Sequence, residues 1–225
     1  MLLVALLFAT LLAQAQPDTK ELLRKVAEVY ANMREGDVTA TGTVTFPGSP
    51  EVTIRSRIAW RLPDKTRTES NEAGRHRIMV SNGKLEWLYE SVPNEYIQTP
   101  VAPRQPSALT PPGLEPGSPP LSRFATSAKE AQSAKFLRQE TVMIDGVRFE
   151  CSVIEFKGPT WGLLRWWVDK RSLVVREEMF TKTEPTARFS LNDYVFAKFN
   201  QRVPDSVFVF MPPPGAKRVE HFKPR

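Results

Sequence analysis

The sequence predicts an α+β fold: about eleven short antiparallel strands, one long amino-terminal amphipathic helix, and a short helix beside a proline-rich loop inserted midway. Three observations carry this. Apolar and polar residues alternate with period two through most of the chain, as strands with one buried face require. Asn82-Gly83 and Asp145-Gly146 lie between such runs and read as hairpin turns. The longest stretch with apolar residues at helical spacing is Asp18 to Arg34. At 225 residues, 41% hydrophobic and 25% charged, the chain can bury one sizeable core.

Residues 1–15, MLLVALLFATLLAQA, are an uncharged apolar run too short to span a bilayer comfortably. Ala13-Gln14-Ala15 has the small-x-small pattern of a signal peptidase site, so export with cleavage before Gln16 is expected. The basic residues that usually open a signal peptide are not seen before the run. No Cys follows it, so a lipid-modified mature end is not expected. Residues 16–225 are expected to form a single domain.

Asp18 reads as an N-cap with Glu21 as its capping-box partner. Leu22, Val26, Val29 and Met33 then recur on one face, widened by Leu23 and Tyr30, and Gly36 is expected to stop the helix. Val38 to Phe46 alternates apolar residues and glycine with threonines. Val52 to Leu62 sets Val52, Ile54, Ile58, Trp60 and Leu62 against Thr53, Arg55, Arg57 and Arg61. A third, more polar strand ends near Ser70. The Asn82-Gly83 turn predicts Val80 opposite Leu85, Ile78 opposite Trp87, and His76 opposite Tyr89, with Met79, Leu88 and the Arg75–Glu90 pair on the other face. Glu95 to Thr99 adds a short strand.

Pro100, Pro103, Pro106, Pro111, Pro112, Pro116, Pro119 and Pro120 exclude helix and central strand over residues 100–120, which read as a long loop or an extended polyproline segment. Leu121, Phe124, Ala128 and Ala131 return to helical spacing. The Asp145-Gly146 turn pairs Ile144 with Val147, Val142 with Phe149, and Glu140 with Cys151. Trp161 to Phe180 forms a further hairpin. Its first strand is apolar on both faces: Trp161, Leu163 and Trp167 on one, Leu164, Trp166 and Val168 on the other. Something must cover each face. Ala187 to Phe199 is expected to carry Phe189, Leu191, Val195 and Phe199 on one side, and Val207 to Phe210 is read as the last strand.

Signals for catalysis are sparse. GxSxG, HExxH, P-loop and GxGxxG patterns are missing from the sequence. Ser81-Asn82-Gly83-Lys84 matches S-x-x-K but straddles a hairpin turn instead of opening a helix. Glu177 and Glu178 are adjacent on one strand and so face opposite ways. His76 and His221 are the two histidines and have no metal-ligand spacing; Cys151, alone, reads as a buried inert thiol. Neither enzymatic activity nor a cofactor is therefore expected. The net charge of +6 and the shared face of Arg55, Arg57 and Arg61 fit either an anionic lipid surface or ordinary solvated charge. Nucleic acid is not an expected partner of an exported protein.

Phe208-Val209-Phe210-Met211-Pro212-Pro213-Pro214-Gly215-Ala216 resembles the F-x-F-x-P-P-x-G-A ending of the periplasmic lipoprotein carriers, the LolA-like superfamily. Val26 to Met33 is similar to that superfamily's first helix, and the threonine-rich and arginine-bearing strands follow in its order. Leu164 to Asp169 with Val174 to Glu177 resembles its apolar-x-W-x-D and apolar-x-R hairpin. The resemblance implies an incomplete antiparallel β-barrel with helices over an apolar cavity, and a monomeric periplasmic protein of a Gram-negative bacterium that binds lipid or lipoprotein acyl chains without catalysis. Candidate acyl-chain residues are Ile54, Ile58, Trp60, Ile78, Trp87, Phe189 and Leu191. An inner-membrane export complex is the implied partner. The superfamily's sigma-E regulator branch implies an alternative, an envelope-stress sensing module that acts on an anti-sigma factor through the proline-rich loop or the basic strand face.

Overall fold

The structure, a computed structural model, describes residues 17–45, 48–101, 121–158, 162–181 and 188–222. The expected signal segment, most of the proline-rich loop, Phe46 and Trp161 lie outside these. Two helices, α1 (Thr19–Ala31) and α2 (Arg123–Glu130), accompany one sheet. Its strands are β1 (Glu35–Thr45), β2 (Val52–Arg61), β3 (Lys65–Glu72), β4 (Arg75–Asn82), β5 (Leu85–Glu90) and β6 (Glu95–Pro100), then β7 (Gln132–Ile144), β8 (Val147–Lys157), β9 (Leu163–Asp169), β10 (Val174–Thr181), β11 (Arg188–Phe199) and β12 (Lys217–Arg218). The strand order is β12-β6-β5-β4-β3-β2-β1-β11-β10-β9-β8-β7. Two meanders, β1 to β6 and β7 to β11, thus meet at a single antiparallel seam between β1 and β11. The sheet does not close on itself, which is the incomplete barrel that the resemblance implied. The predicted strand count falls short by β12, two residues parallel to β6 that no alternation could reveal.

Asp18 caps α1 as expected, its Oδ1 accepting from the Lys20 amide at 2.9 Å. The helix ends at Ala31, however, before Gly36; the Asn32 amide makes the last i→i−4 bond, to the Glu28 carbonyl, and the Asn32 side chain caps the same oxygen. Gly36 has a different task. It faces Trp60 across the β1–β2 pair, and a Cβ there would lie 2.3 Å from the indole Cη2. The residue is glycine because a buried tryptophan ring occupies its side-chain space.

Both helices lie on one face of the sheet. Leu23, Val26 and Tyr30 of α1, Met33 just beyond it, and Phe124, Ala125 and Ala128 of α2 bury against Val38, Trp60, Ile154, Phe156, Leu164, Trp166, Val168 and Tyr194. Phe124 is the hub: its ring meets Tyr30 at 4.8 Å, Trp166 at 5.3 Å and Tyr194 at 5.5 Å. The other face of β8 to β11 is buried too. Cys151, Val153, Trp167 and Val175 pack there with Val142, Ile144 and Phe149. The β7–β8 hairpin passes two register shifts and brings its outer half onto this face, where its turn residue Asp145 reaches Arg55 of β2 at 2.8 Å. The two apolar faces of β9 are therefore covered by the helices and by the sheet's own end.

The Asp145-Gly146 pairing is as predicted, with both turn residues at positive φ. The β4–β5 register differs from the prediction by two residues: Val80 faces Trp87 and Ile78 faces Tyr89. Asn82 Oδ1 accepts both the Lys84 and Leu85 amides, which holds a longer loop than a two-residue turn. A two-residue slip keeps every side chain on its face. Arg77, not Arg75, therefore meets Glu90, at 2.6 Å. A bulge between β1 and β11 turns Phe196 and Phe199 to the helix side, so Phe199 does not share a face with Val195. The expected strand Val207 to Phe210 is instead a 3-10 turn, Asp205–Phe208, and an extended tail. Phe208 enters a pocket with Ala59 and Val203, while Phe210 covers Ile78, Val80 and Tyr89 and stacks on Trp87 at 6.0 Å.

Candidate lipid-binding face

Antiparallel register places residues that face one another in rows, and one row crosses six strands on the helix side: Val38, Ile58, Thr68, Met79, Leu88 and Ile97. Its first member is fully buried beneath α1, and Ile58 packs at the margin of that core. Met79 is 50% exposed, and Met79, Leu88 and Ile97 belong to none of the buried apolar clusters among the described residues. Ile54 lies on the same face of β2, four residues before Ile58, and is likewise outside those clusters. At about 4.8 Å per strand, the row from β2 to β6 is about 19 Å long. It is an apolar strip that starts where the helix-covered core ends.

The expected acyl-chain residues divide between two faces. Ile54, Ile58 and Trp60 share the helix side. Ile78 and Trp87 point to the opposite side, under Phe210. Phe189 and Leu191 also point away from the helices, because they face Thr45 and Thr43, which alternate with the helix-side residues of β1. The seven do not form one set. Met79 and Leu88 were visible in the sequence as the opposite face of the β4–β5 hairpin. Alternation shows which residues share a face, not which face the helices take. The signal that could have decided it is the aromatic tail: Phe210 needs an apolar surface, and the aromatic face of β4 and β5 supplies it.

A buried polar cluster ties α2 to the sheet. Arg123, at the first turn of α2, donates Nη1 to Glu177 Oε2 at 2.8 Å and Nη2 to the Tyr194 hydroxyl at 2.6 Å. The same Glu177 oxygen accepts from Trp166 Nε1 at 2.9 Å. Glu177 is 1% exposed, so its charge depends on these partners among the described residues. Burial works against the Arg123 charge, but the Tyr194 and Glu177 oxygens more than offset it and raise its pKa above the ordinary arginine value. Burial likewise pushes the Tyr194 and Tyr30 hydroxyls up, and the Tyr30 oxygen accepts the Val174 amide at 3.0 Å. Glu178 faces the other way, to Arg165 at 2.8 Å, so the adjacent acids are no catalytic pair. Cys151 is buried, and burial pushes its thiol to about 12. His76 stands edge-on to Tyr89 at 6.5 Å, and Ser81 Oγ donates to the Asp64 carbonyl.

The arginine-bearing face of β2 is neutralised residue by residue. Arg55 pairs with Asp145, Arg57 with Asp37 at 2.6 Å, Arg61 with Glu35 and Asp205, and Lys65 with Asp205 at 2.6 Å. Arg67 meets Glu69 at 2.5 Å. Beside them a cleft of about 300 Å³ is lined by Arg57, Arg67, Glu69, Val209 and Met211. Bonds from the Val203 amide hold the Glu35 carboxyl below its usual range, and the Lys65 ammonium does the same for Asp205. Lys135 and Arg165 lower Glu155. Groups with depressed pKa values stabilise the fold above their unfolded values and lose that contribution as pH falls through the folded ones. The melting temperature should be flat from pH 7 to about 5 and fall below about pH 4.5, around the unfolded carboxylate range. A melting temperature unchanged down to pH 3 would remove these pairs from the account.

A family model described as "Predicted periplasmic protein (DUF2092)" matches residues 19–221. An uncharacterized protein of Methanocaldococcus jannaschii is 25% identical over 219 residues, a match that covers 96% of this chain and 57% of that protein. The chain thus spans little more than half the length of this relative. Similar solved structures include a LolA superfamily protein of Nitrosomonas europaea, with 13% identity, 86% of this chain and 98% of that one covered, and a TM-score of 0.37. LprF of Mycobacterium bovis gives 11%, 89%, 99% and 0.48. The MucA/MucB complex of Pseudomonas aeruginosa gives 12%, 86%, 62% and 0.46.

Proposed function

The chain belongs to the family of predicted periplasmic proteins DUF2092, which puts it in the periplasm, and from that premise we propose that it is a non-enzymatic carrier of lipid or lipoprotein acyl chains. One observation supports this most: the row Ile58, Thr68, Met79, Leu88 and Ile97 leaves the helix-covered core and continues as an apolar strip that no buried cluster takes up among the described residues. An acyl chain laid along it gains by burial, at about 25 cal/mol per Å² of apolar surface. The cargo is then transferred without a chemical step.

The test is native mass spectrometry of the protein purified from a bacterial periplasm, with co-purifying lipid as the expected result. Met79→Arg puts a charge in the middle of the strip, and its lipid occupancy should fall at least about tenfold, the cost of seating an alkyl chain against a charge being over 1.4 kcal/mol. Because Met79 is half exposed, the melting temperature should stay close to that of the wild type, as for surface substitutions generally. Lipid retained in full by Met79→Arg would sink the assignment of this strip.

A second reading, a sensing module that acts through a protein partner, draws on the cleft beside Arg57 and Arg67, where Met211 is 79% exposed. An envelope extract from which the protein draws one stoichiometric partner and no lipid would favour it.

A further inference from the structure

We infer that Trp60 Nε1 is the donor for a carbonyl oxygen of the bound amphiphile, so that the site selects acyl esters and amides over ethers and plain hydrocarbons. The inference rests on the carrier reading above and adds the chemical class of the ligand's linkage.

Trp60 is 0% exposed, and its indole N–H has no hydrogen-bond partner among the described residues. Buried donors are nearly always paired, and one left unpaired costs the fold its full desolvation penalty. The other buried tryptophan donors conform: Trp166 Nε1 bonds Glu177 and Trp167 Nε1 bonds Glu140 at 3.2 Å. Arg165 Nε and Ser190 Oγ are also buried and unpaired among the described residues, but Trp60 is the exception among these tryptophans, and its position gives the exception a use. It shares the helix-side face with Ile58, two residues before it on β2, the residue where the apolar strip leaves the core. Its benzo edge lies against Gly36 of β1. A polar atom at the head of an apolar strip is what a ligand with one carbonyl and a long alkyl chain requires. The chain lies over Met79, Leu88 and Ile97, and the carbonyl satisfies the orphaned N–H. A free alkane or an ether leaves the donor unsatisfied and forfeits that bond.

The experiment measures binding of palmitoyl lysophosphatidylcholine and of its hexadecyl ether analogue to the wild type and to Trp60→Phe. The wild type should bind the ester about threefold to tenfold more tightly than the ether, the range of one net hydrogen bond. Trp60→Phe should bind both with the weaker, ether-like affinity, and the ratio of the two ligands within each variant corrects for any loosening of the fold. The Trp60 indole proton resonance should also move on ester binding and stay in place with the ether. An ester-to-ether ratio that is the same in both variants, or near one in the wild type, overturns this inference and leaves the carrier reading standing. A wild type that binds neither ligand overturns both.

Discussion

Arg123→Met is expected to destabilise the protein by about 3–5 kcal/mol, because it strands Glu177 as an uncompensated buried charge. Glu177 is 1% exposed and would keep the Trp166 N–H as its one remaining partner among the described residues. For a chain of this size each kcal/mol moves the melting temperature by about 2–4 °C, so a fall of about 6–20 °C is expected in a thermal melt. Glu177→Gln should cost less, about 1–3 kcal/mol. It keeps an oxygen for Trp166, and the Arg123 side chain it leaves behind is 32% exposed and can reach water. The double variant Arg123→Met/Glu177→Gln should recover much of the larger loss, since two neutral groups need not pair. A double-mutant cycle with no coupling would show that the Arg123–Glu177 contact is not what holds α2 to the sheet.

Gly36→Ala has the second large expected effect. The added methyl would sit 2.3 Å from Cη2 and 2.4 Å from Cζ2 of Trp60. That ring is fully buried with Val38 and residues of both helices, so it can make way for the methyl only by displacing them. Overpacking of this kind costs about 1–3 kcal/mol, and the upper end applies where the neighbour is rigid. Combining it with Trp60→Leu should restore part of the loss, and equilibrium urea unfolding of the four forms would show it. If Gly36→Ala matches the wild type, the ring does not occupy that space.

Much of the fold was legible in the sequence, and the reasons differ by element. Asp145-Gly146 demands positive φ at two consecutive positions, and few arrangements satisfy that, so its register followed. Asn82-Gly83 carried the same signal, yet Asn82 spent its side chain on the Lys84 and Leu85 amides and lengthened the loop by two residues. Gly36 looked like a helix stop because glycine often is one. Its actual constraint, the Trp60 ring, comes from a strand more than twenty residues later and leaves no local trace. The candidate site was half legible. Ile54, Ile58 and Trp60 fell on the helix-side face, whereas Ile78 and Trp87 were as apolar and as regularly spaced, and only the docking of Phe210 removes them from consideration. Arg123 went unmarked because its partner lies on a distant strand, and a glutamate between Arg176 and Glu178 gave no sign of being buried.

The seam between β1 and β11 has a consequence for how the chain tolerates change. Gly36 faces Phe199 and Thr45 faces Phe189, so the seam closes a loop that contains nearly everything else. The entropy of closing a flexible loop grows only with the logarithm of its length, about 0.6 kcal/mol for each doubling. Residues added or removed between β6 and α2 alter that length by a small fraction. They disturb no strand-to-strand turn, because β6 and β7 lie toward opposite edges of the sheet. That connection is where a protein of this architecture can lengthen or shorten its chain at little expense to the rest.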